Sequence, residues 1–373
     1  MSEKAYKFRL YPNKRQKELL AKTFGCCRFV YNHYLAERIN SYQNNGSSLS
    51  YYDNANDLKA LKKENEWLKE VDSVALQSAL KDLDSAYQHF FKQKFGFPKY
   101  KNKKTHRFSY KTKCINNNIE FLGTHIKLPK LGNVKIKNKH IPQGRILNAT
   151  IRQEPSGKCY VSICCTDVNI QQLQKTNKQV GLDMGIKDFC TLSNEQVITN
   201  PKYLSQSLNK LAKLQKQLSR KTKGSSNRNK ARMKVARLQE HITNQRADFL
   251  HKLSHLLVSD YDLIAIEDLD VKGILQKKQS TNSQSKGIHR ATVDVSWSEF
   301  VRQLQYKSEW YGKKVVKIDR YYPSSQICNC CGYKNPLVKD LCIREWECPN
   351  CHTKHDRDIN ASKNILAEAI IIA

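Results

Sequence analysis

The chain has 373 residues, enough for two to three domains at roughly 150 residues each. Apolar residues make up 39% and charged residues 27%, which supplies packed cores with a solvated surface and excludes disorder throughout. Lys and Arg number 65 against 34 acids, a net charge of +31; such a surplus repels itself on compaction and calls for a polyanionic partner.

Residues 1–10 alternate, with Tyr6, Phe8 and Leu10 on one face, and Pro12 ends the run, so a short strand opens the chain. From Lys14 to about Phe91 the apolar period becomes helical (Leu58, Leu61, Leu68, Leu76, Leu80, Leu83), with a polar break at residues 43–48. Residues 92–113 hold nine Lys or Arg and no acid, interleaved with Phe95, Phe97, Tyr100, Phe108 and Tyr110. Cations meet phosphates and aromatic rings meet bases, so this mixture suits nucleic acid. Between Glu120 and Asp167 short β segments (126–128, 134–136, 146–151, 160–164) alternate with Gly, Pro and Asn turns, as in a small barrel.

A polar linker at 171–179 leads to a β-hairpin over 180–197. A helical hairpin follows, one arm carrying Leu204, Leu208, Leu211, Leu214 and Leu218, the other Val235, Leu238, Ile242, Phe249, Leu253 and Leu256. Its tip, 220–234, has seven basic residues and no acid. Next come a buried-type strand, 261–266, a polar loop from about Gly273 to Thr292, a helix over 297–311, a strand at 315–318 and a closing helix from 360. This order predicts a layered α/β domain, so that the whole chain reads as multidomain α+β.

Seven of the thirteen cysteines are scattered and six crowd between Cys328 and Cys351. The charged start, MSEKAYKFRLYPNKRQ, does not resemble an export signal, and no apolar run approaches the ~18 residues of a membrane span. A reducing cytoplasm without a membrane partner is expected, where clustered cysteines indicate metal. Cys328 and Cys331 form one CxxC pair, Cys348 and Cys351 another, sixteen residues apart. Two such knuckles present four thiolates to one ion and leave no open position, the pattern of structural Zn²⁺. Cys330 competes with Cys328 or Cys331, and Cys342 reads as a small apolar filler. Gly332 fits a turn that needs positive φ.

Three acids sit at predicted element ends: Asp183 between Leu182 and Met184, Glu267 after an apolar strand, and Asp358 before the last helix. An acid in a buried strand is costly unless paired or metal-bound. Gathered at one sheet edge, the three would form a hard-oxygen site for two Mg²⁺ or Mn²⁺ ions that hydrolyse a phosphodiester. Gly181 and Gly185 beside Asp183 would let a ligand approach closely.

Residues 181–185 (GLDMG), 266–269 (IEDL), the two CxxC pairs and 356–361 (DRDINA), together with 6–12 (YKFRLYP) and 24–32 (FGCCRFVYN), resemble the TnpB family over nearly the whole chain. TnpB proteins are insertion-sequence-encoded nucleases related to type V CRISPR effectors. The resemblance implies a wedge-like β-barrel (1–13 and 110–170), a helical recognition domain (14–109), a RuvC, ribonuclease H-like nuclease domain (176–325 and 353–373) and a zinc-ribbon target-loading insertion (326–352). It also implies an element-derived guide RNA that pairs with double-stranded target DNA beside a short transposon-adjacent motif. By motif position Asp183, Glu267 and Asp358, rather than Asp356, are the implied metal ligands, and Arg344 the arginine near the scissile phosphate. Tyr51, Tyr52, Ser73 and Gln77 are the implied readers of the adjacent motif. Lys99, Lys101, Lys103, Lys104, Arg107 and Tyr110 are expected on nucleic acid from the basic, aromatic stretch. Two other readings are a guide-directed repressor that does not cut and an accessory DNA-binding protein of transposition. One nuclease domain per guide suggests a monomer acting on the nucleoid.

Overall fold

The computed structural model describes every residue except 1, 94, 105–107, 138–140, 272 and 274–282, so Arg107 and part of the polar 273–292 segment lie outside the described residues. The chain divides into two compact units, residues 1–169 and 170–373.

The first unit joins a sheet to a helical layer. Strand β1 (Ser2–Tyr11) runs into helix α1 (Lys14–Asn45), whose start is fixed by a reciprocal Asn13–Gln16 capping box. Gly46, left-handed at φ 63°, ends α1 where the polar break stands in the sequence. Helices α2 (Tyr51–Glu64) and α3 (Ser73–Gln93) flank a 3₁₀ turn at Glu66–Glu70. The leucines of the helical period pack inward, with Leu68, Leu76, Leu80 and Leu83 wholly buried. Strands β2 (Phe108–Lys113), β3 (Glu120–Leu122), β4 (His125–Leu128), β5 (Gly132–Lys137), β6 (Arg145–Gln153) and β7 (Cys159–Val168) complete a seven-stranded antiparallel sheet in the order β2-β6-β7-β1-β5-β4-β3. The opening strand therefore lies at the centre, paired with β5 and β7. Phe8 on β1 meets Phe121, three strands away on β3, at 5.0 Å between ring centroids. A flat sheet would separate those strands by about 14 Å, so the sheet curls.

The second unit is a sandwich of three layers. Strands β8 (Gln179–Met184), β9 (Asp188–Leu192) and β10 (Val197–Thr199) form an antiparallel meander, and β11 (Leu263–Glu267) and β12 (Lys314–Ile318) extend it in parallel, giving β10-β9-β8-β11-β12. With only β9 reversed, this is the 3-2-1-4-5 order expected of a ribonuclease H-like sheet. Helices α4 (Tyr203–Ser219) and α5 (Ser226–Asp260) zip through Leu211, Val235, Leu238 and Ile242. The far end of α5 (Leu250, Leu253, Leu257) and helix α7 (Trp297–Tyr311; Phe300, Leu304) cover one sheet face, while Leu256 points outward. Ile365 and Ala369 of helix α8 (Arg357–Ile372) cover the other face over Ala265, Val316 and Ile318. Helix α6 (Ser283–Val295) occupies much of the segment expected as a loop. Its composition is polar, but Thr292 and Val295 are buried, and Asp294 pairs with Arg246 at 2.7 Å and accepts from the Leu204 amide. The 326–356 segment, carrying a 3₁₀ turn at Pro336–Lys339 and the hairpin β13 (Glu345–Glu347)–β14 (Lys354–Asp356), is inserted between β12 and α8.

Gly181 serves packing rather than ligand approach. A Cβ there would meet the Ser362 carbonyl oxygen of α8 at 2.1 Å, so α8 presses directly on β8. Gly185 lies in the tight β8–β9 turn, where its amide donates to the Phe189 carbonyl.

Candidate functional site

The sheet order sets β8 beside β11, and α8 packs on β8, so the ends of these three elements meet. Asp183 is the penultimate residue of β8, Glu267 the last of β11, and Asp358 lies in the first turn of α8. The Asp183 carboxyl is pushed up to about 8, first by burial and then by the negative charges of Glu267 and Asp358, against which Arg357 and Arg344 act weakly. Burial raises Glu267 as well, and the Ser324 hydroxyl, donating to its Oε1 at 2.5 Å, opposes that shift. Glu267 and Asp358 are thus close enough to Asp183 for their charges to disfavour its ionised form, and added positive charge at the site would favour that form.

The acids are spaced more widely than thiolates around one ion. Among the described residues, the groups of three or more Cys, His, Asp or Glu whose ligand atoms all lie within 4.8 Å are cysteine-centred. Asp183, Glu267 and Asp358 are not among these groups.

The two acids of the 356–358 motif are distinguished by local structure. Asp356 is the N-cap of α8, and its Oδ1 accepts from the amides of Asp358 and Ile359, each at 2.9 Å. Its carboxylate is engaged by the cap, whereas that of Asp358, among the described residues, meets the Arg344 guanidinium at 3.4 Å to both oxygens. Arg344 is exposed and lies at the edge of the acid group.

The four cysteines of the CxxC pairs come together in the inserted segment, with Sγ–Sγ distances of 3.6 Å for Cys328–Cys351 and for Cys331–Cys348. Thiolates at Zn–S ~2.3 Å around a tetrahedral ion stand about 3.8 Å apart, so the set fits structural zinc. A side-chain hydrogen bond from Asn350 and the Tyr333 amide lower the Cys331 thiol to about 6. Thr353 lowers Cys351, while burial pushes Cys328 up to about 12. Both knuckles turn through a left-handed residue directly after the second cysteine, Gly332 at φ 76° and His352 at φ 56°. Cys330 and Cys342 are exposed, so Cys342 is not the apolar filler expected of it. The sequence reading missed His355, whose Nε2 lies 3.1 Å from the Cys328 sulfur and which groups with Cys328 and Cys330. It also missed Ser324, Arg357, Asn360 and Asn364. Two asparagines one helical turn apart in the closing helix, both buried, were the available signal.

The expected nucleic-acid residues divide. Tyr51 and Tyr52 open α2, ring to ring at 5.4 Å, with Lys81 over Tyr51. Ser73 and Gln77, one turn apart on α3, are both exposed, and Ser73 accepts from Lys62 at 2.8 Å. Tyr52, Ser73, Gln77 and Lys81 thus give the α2–α3 pair an exposed polar and aromatic face. Lys99, Lys103 and Lys104 are exposed as well. Tyr110 and Lys101 are not available to a ligand in the same way. Tyr110 belongs to β2 and is 6% exposed, its ring against Phe24 at 5.8 Å, because the alternation that places it in a strand also turns it into the core. Lys101 lies over Tyr31 at 3.9 Å and pairs with Asp82, while Asn32 brackets its backbone from both sides. It fastens the basic segment to α1.

Among the described residues no helix is long and apolar enough to cross a membrane.

Comparison with known proteins gives consistent matches. The family profile OrfB_IS605, described as "Probable transposase", matches residues 162–278. A Cas12f1-like TNB domain profile matches 297–365, and a helix-turn-helix profile of the OrfB_IS605 type matches 1–47, where this chain has a strand and one continuous helix. A relative from Streptomyces pristinaespiralis named "Putative RNA-guided DNA endonuclease" is 38% identical over 99% of this chain and 90% of its own length. One of the same description from Escherichia coli K12, InsQ, is 33% identical over 97% of this chain and 91% of its own. The structure of a Cas12f1–sgRNA–target DNA complex aligns over 98% of this chain and 99% of its own at 14% identity, with a TM-score of 0.37. With relatives this similar over about nine-tenths of their own lengths, the chain belongs to the OrfB/IS605, or TnpB, family.

Proposed function

We propose that this protein is an RNA-guided DNA endonuclease whose chemistry takes place at Asp183, Glu267 and Asp358. The observation that carries the reading is the meeting of these acids at the ends of β8, β11 and α8, with the Asp183 carboxyl driven up to about 8. Bound Mg²⁺ or Mn²⁺ ions would supply a hydroxide-like nucleophile and neutralise charge on the leaving oxygen. The chain's own residues prepare that site. Asp183 would release its proton to solvent and offer its carboxylate to an ion, the Ser324 hydroxyl orients Glu267, and the Asp356 cap holds the helix turn that presents Asp358. Arg344 is placed to leave Asp358 for a phosphate that enters the site.

The remaining assignments follow the same reading. The curled sheet acts as the wedge and the helices of the first unit as the recognition domain, with Tyr51, Tyr52, Ser73 and Gln77 facing a short duplex motif beside the target. Gln can bond base edges in the major groove. Lys99, Lys103 and Lys104, within a chain of +31, hold phosphates, which adds affinity without sequence information. Sequence is then read by pairing between an element-derived guide RNA and one DNA strand, and the site cuts both strands. The inserted segment holds structural zinc and loads the target, and the protein works as a cytoplasmic monomer.

The test is cleavage of a plasmid that matches the copurified RNA. Cutting is expected only with Mg²⁺ or Mn²⁺ and is lost in Asp183→Ala, Glu267→Ala and Asp358→Ala, with RNA binding retained. Wild-type protein that binds the matched plasmid without cutting would instead be a repressor, and protein recovered free of RNA would be an accessory DNA-binding protein.

A further inference from the structure

We infer that the cysteine knuckle and the acid site form one cooperative unit, in which zinc on the four thiolates sets the position of Asp358. The inference rests on the reading of Asp358 as a metal ligand. It starts from the inserted segment, residues 326–356, which is too short to hold itself together by apolar burial. Units below ~40 residues usually need a metal or disulfides. Its buried cluster is Cys328, Val338, Trp346 and Cys348, with Ile343 and Cys351 against it, so three of six members are thiolate candidates. Without the ion, half of that small core is thiols held only by weak sulfur contacts, and the fold of the segment is the ion's to maintain.

That same segment grips the first turn of α8. Asn360, 1% exposed, donates from Nδ2 to the Ile327 carbonyl at 2.7 Å and accepts at Oδ1 from the Asn329 amide at 3.0 Å, both beside Cys328. Asn364 donates to the Ser324 and Ile327 carbonyls. The Arg357 amide donates to the Arg344 carbonyl at 2.8 Å and its Nη1 to the Asp340 carbonyl at 3.0 Å. With Cys328 as a thiolate, the His355 Nε2–H donates to it at 3.1 Å, three residues before Asp358, and β14 is itself paired to β13. Asp358 therefore has knuckle-held residues on both sides in sequence: His355, Asp356 and Arg357 before it, Asn360 after it. The rest of α8 is anchored separately, through Ile365 and Ala369 on the sheet and the close contact at Gly181. Loss of zinc would leave α8 in place and free only the turn that bears the acid. Partners that orient a ligand from outside the metal's own shell change affinity by about 10–100-fold when removed.

The experiment uses the full chain with its zinc, the same chain stripped of zinc by 1,10-phenanthroline, and Asn360→Ala. Zinc content, Mn²⁺ affinity by electron paramagnetic resonance and amide exchange over Asp358–Asn360 are measured on each. Zinc removal is expected to weaken Mn²⁺ binding at least tenfold and to speed exchange in the first turn of α8 but not around Ile365. Asn360→Ala is expected to weaken Mn²⁺ several-fold while keeping its zinc. Equal Mn²⁺ affinity with and without zinc, or first-turn amides that stay protected when zinc is gone, would overturn the coupling. If zinc-loaded wild type shows no Mn²⁺ site that Asp183→Asn removes, the nuclease reading fails instead, and amide exchange alone then decides whether the knuckle holds the turn.

Discussion

Asp183→Asn should make the divalent-free protein more stable, by an amount that grows with pH. The Asp183 carboxyl in the folded chain ionises near 8, against an ordinary value of 3.8. Between those values the native state holds a proton that the unfolded chain has released, so stability falls as pH rises through this window and levels off above it. Each pH unit inside the window costs up to about 1.4 kcal/mol. Asn keeps the shape and cannot ionise, so the advantage of the variant over wild type should widen by about 2 kcal/mol between pH 6 and pH 8. For a unit of this size that is a difference of about 4–8 °C in melting temperature. The assay is thermal unfolding of zinc-loaded, magnesium-free protein at the two pH values, followed by intrinsic fluorescence. Parallel melting curves for wild type and variant at both values would show that Asp183 is not held among like charges, and the electrostatic argument for the site would fall. Added Mn²⁺ should reverse the order, stabilising wild type but not the variant.

Other perturbations separate structural from ligand-facing residues. Cys348→Ser should release zinc, read by atomic absorption, and lower the melting temperature of the second unit; unchanged zinc content contradicts the four-thiolate assignment. Gly181→Ala should destabilise by about 3 kcal/mol, because its Cβ would stand 2.1 Å from the Ser362 carbonyl oxygen; an unchanged denaturation midpoint would show that α8 does not press on β8. Reversing the charge of Lys99, Lys103 and Lys104 should weaken nucleic-acid binding and flatten its salt dependence. Lys101→Ala should instead lower stability through the lost Tyr31 and Asp82 contacts; a salt slope that responds only to Lys101 would invert the assignment.

Much of the fold was legible because its signals are local. The alternation in 1–10, the leucine period of α2 and α3 and the CxxC spacing each depend on a few neighbouring residues, and each element formed where those residues stand. Signals that depend on distant partners were not legible. Tyr110 looked like part of a basic, aromatic loop, and only the pairing of β2 with β6 turns it into the core. Helix α6 is polar along its sequence and is held by Asp294 reaching Arg246 of α5. Gly181 reads equally as space for a ligand or for a helix, and the choice is made by α8, some 180 residues later in the chain. At the site, the acid types were visible, but the capping role that separates Asp356 from Asp358 follows from where α8 begins. Of the polar residues that brace the site, Ser324 lies in no motif, and Arg357 and Asn360 stand inside the 356–361 motif, where the acids drew the reading.

The most direct measurement is a structure of the full chain soaked in Mn²⁺, with anomalous scattering used to find the ions. The account predicts two Mn²⁺ peaks between the ends of β8, β11 and α8, with carboxylate oxygens of Asp183, Glu267 and Asp358 all ligating. An empty site at saturating Mn²⁺, or ions bound by one acid while the other two turn away, would contradict it.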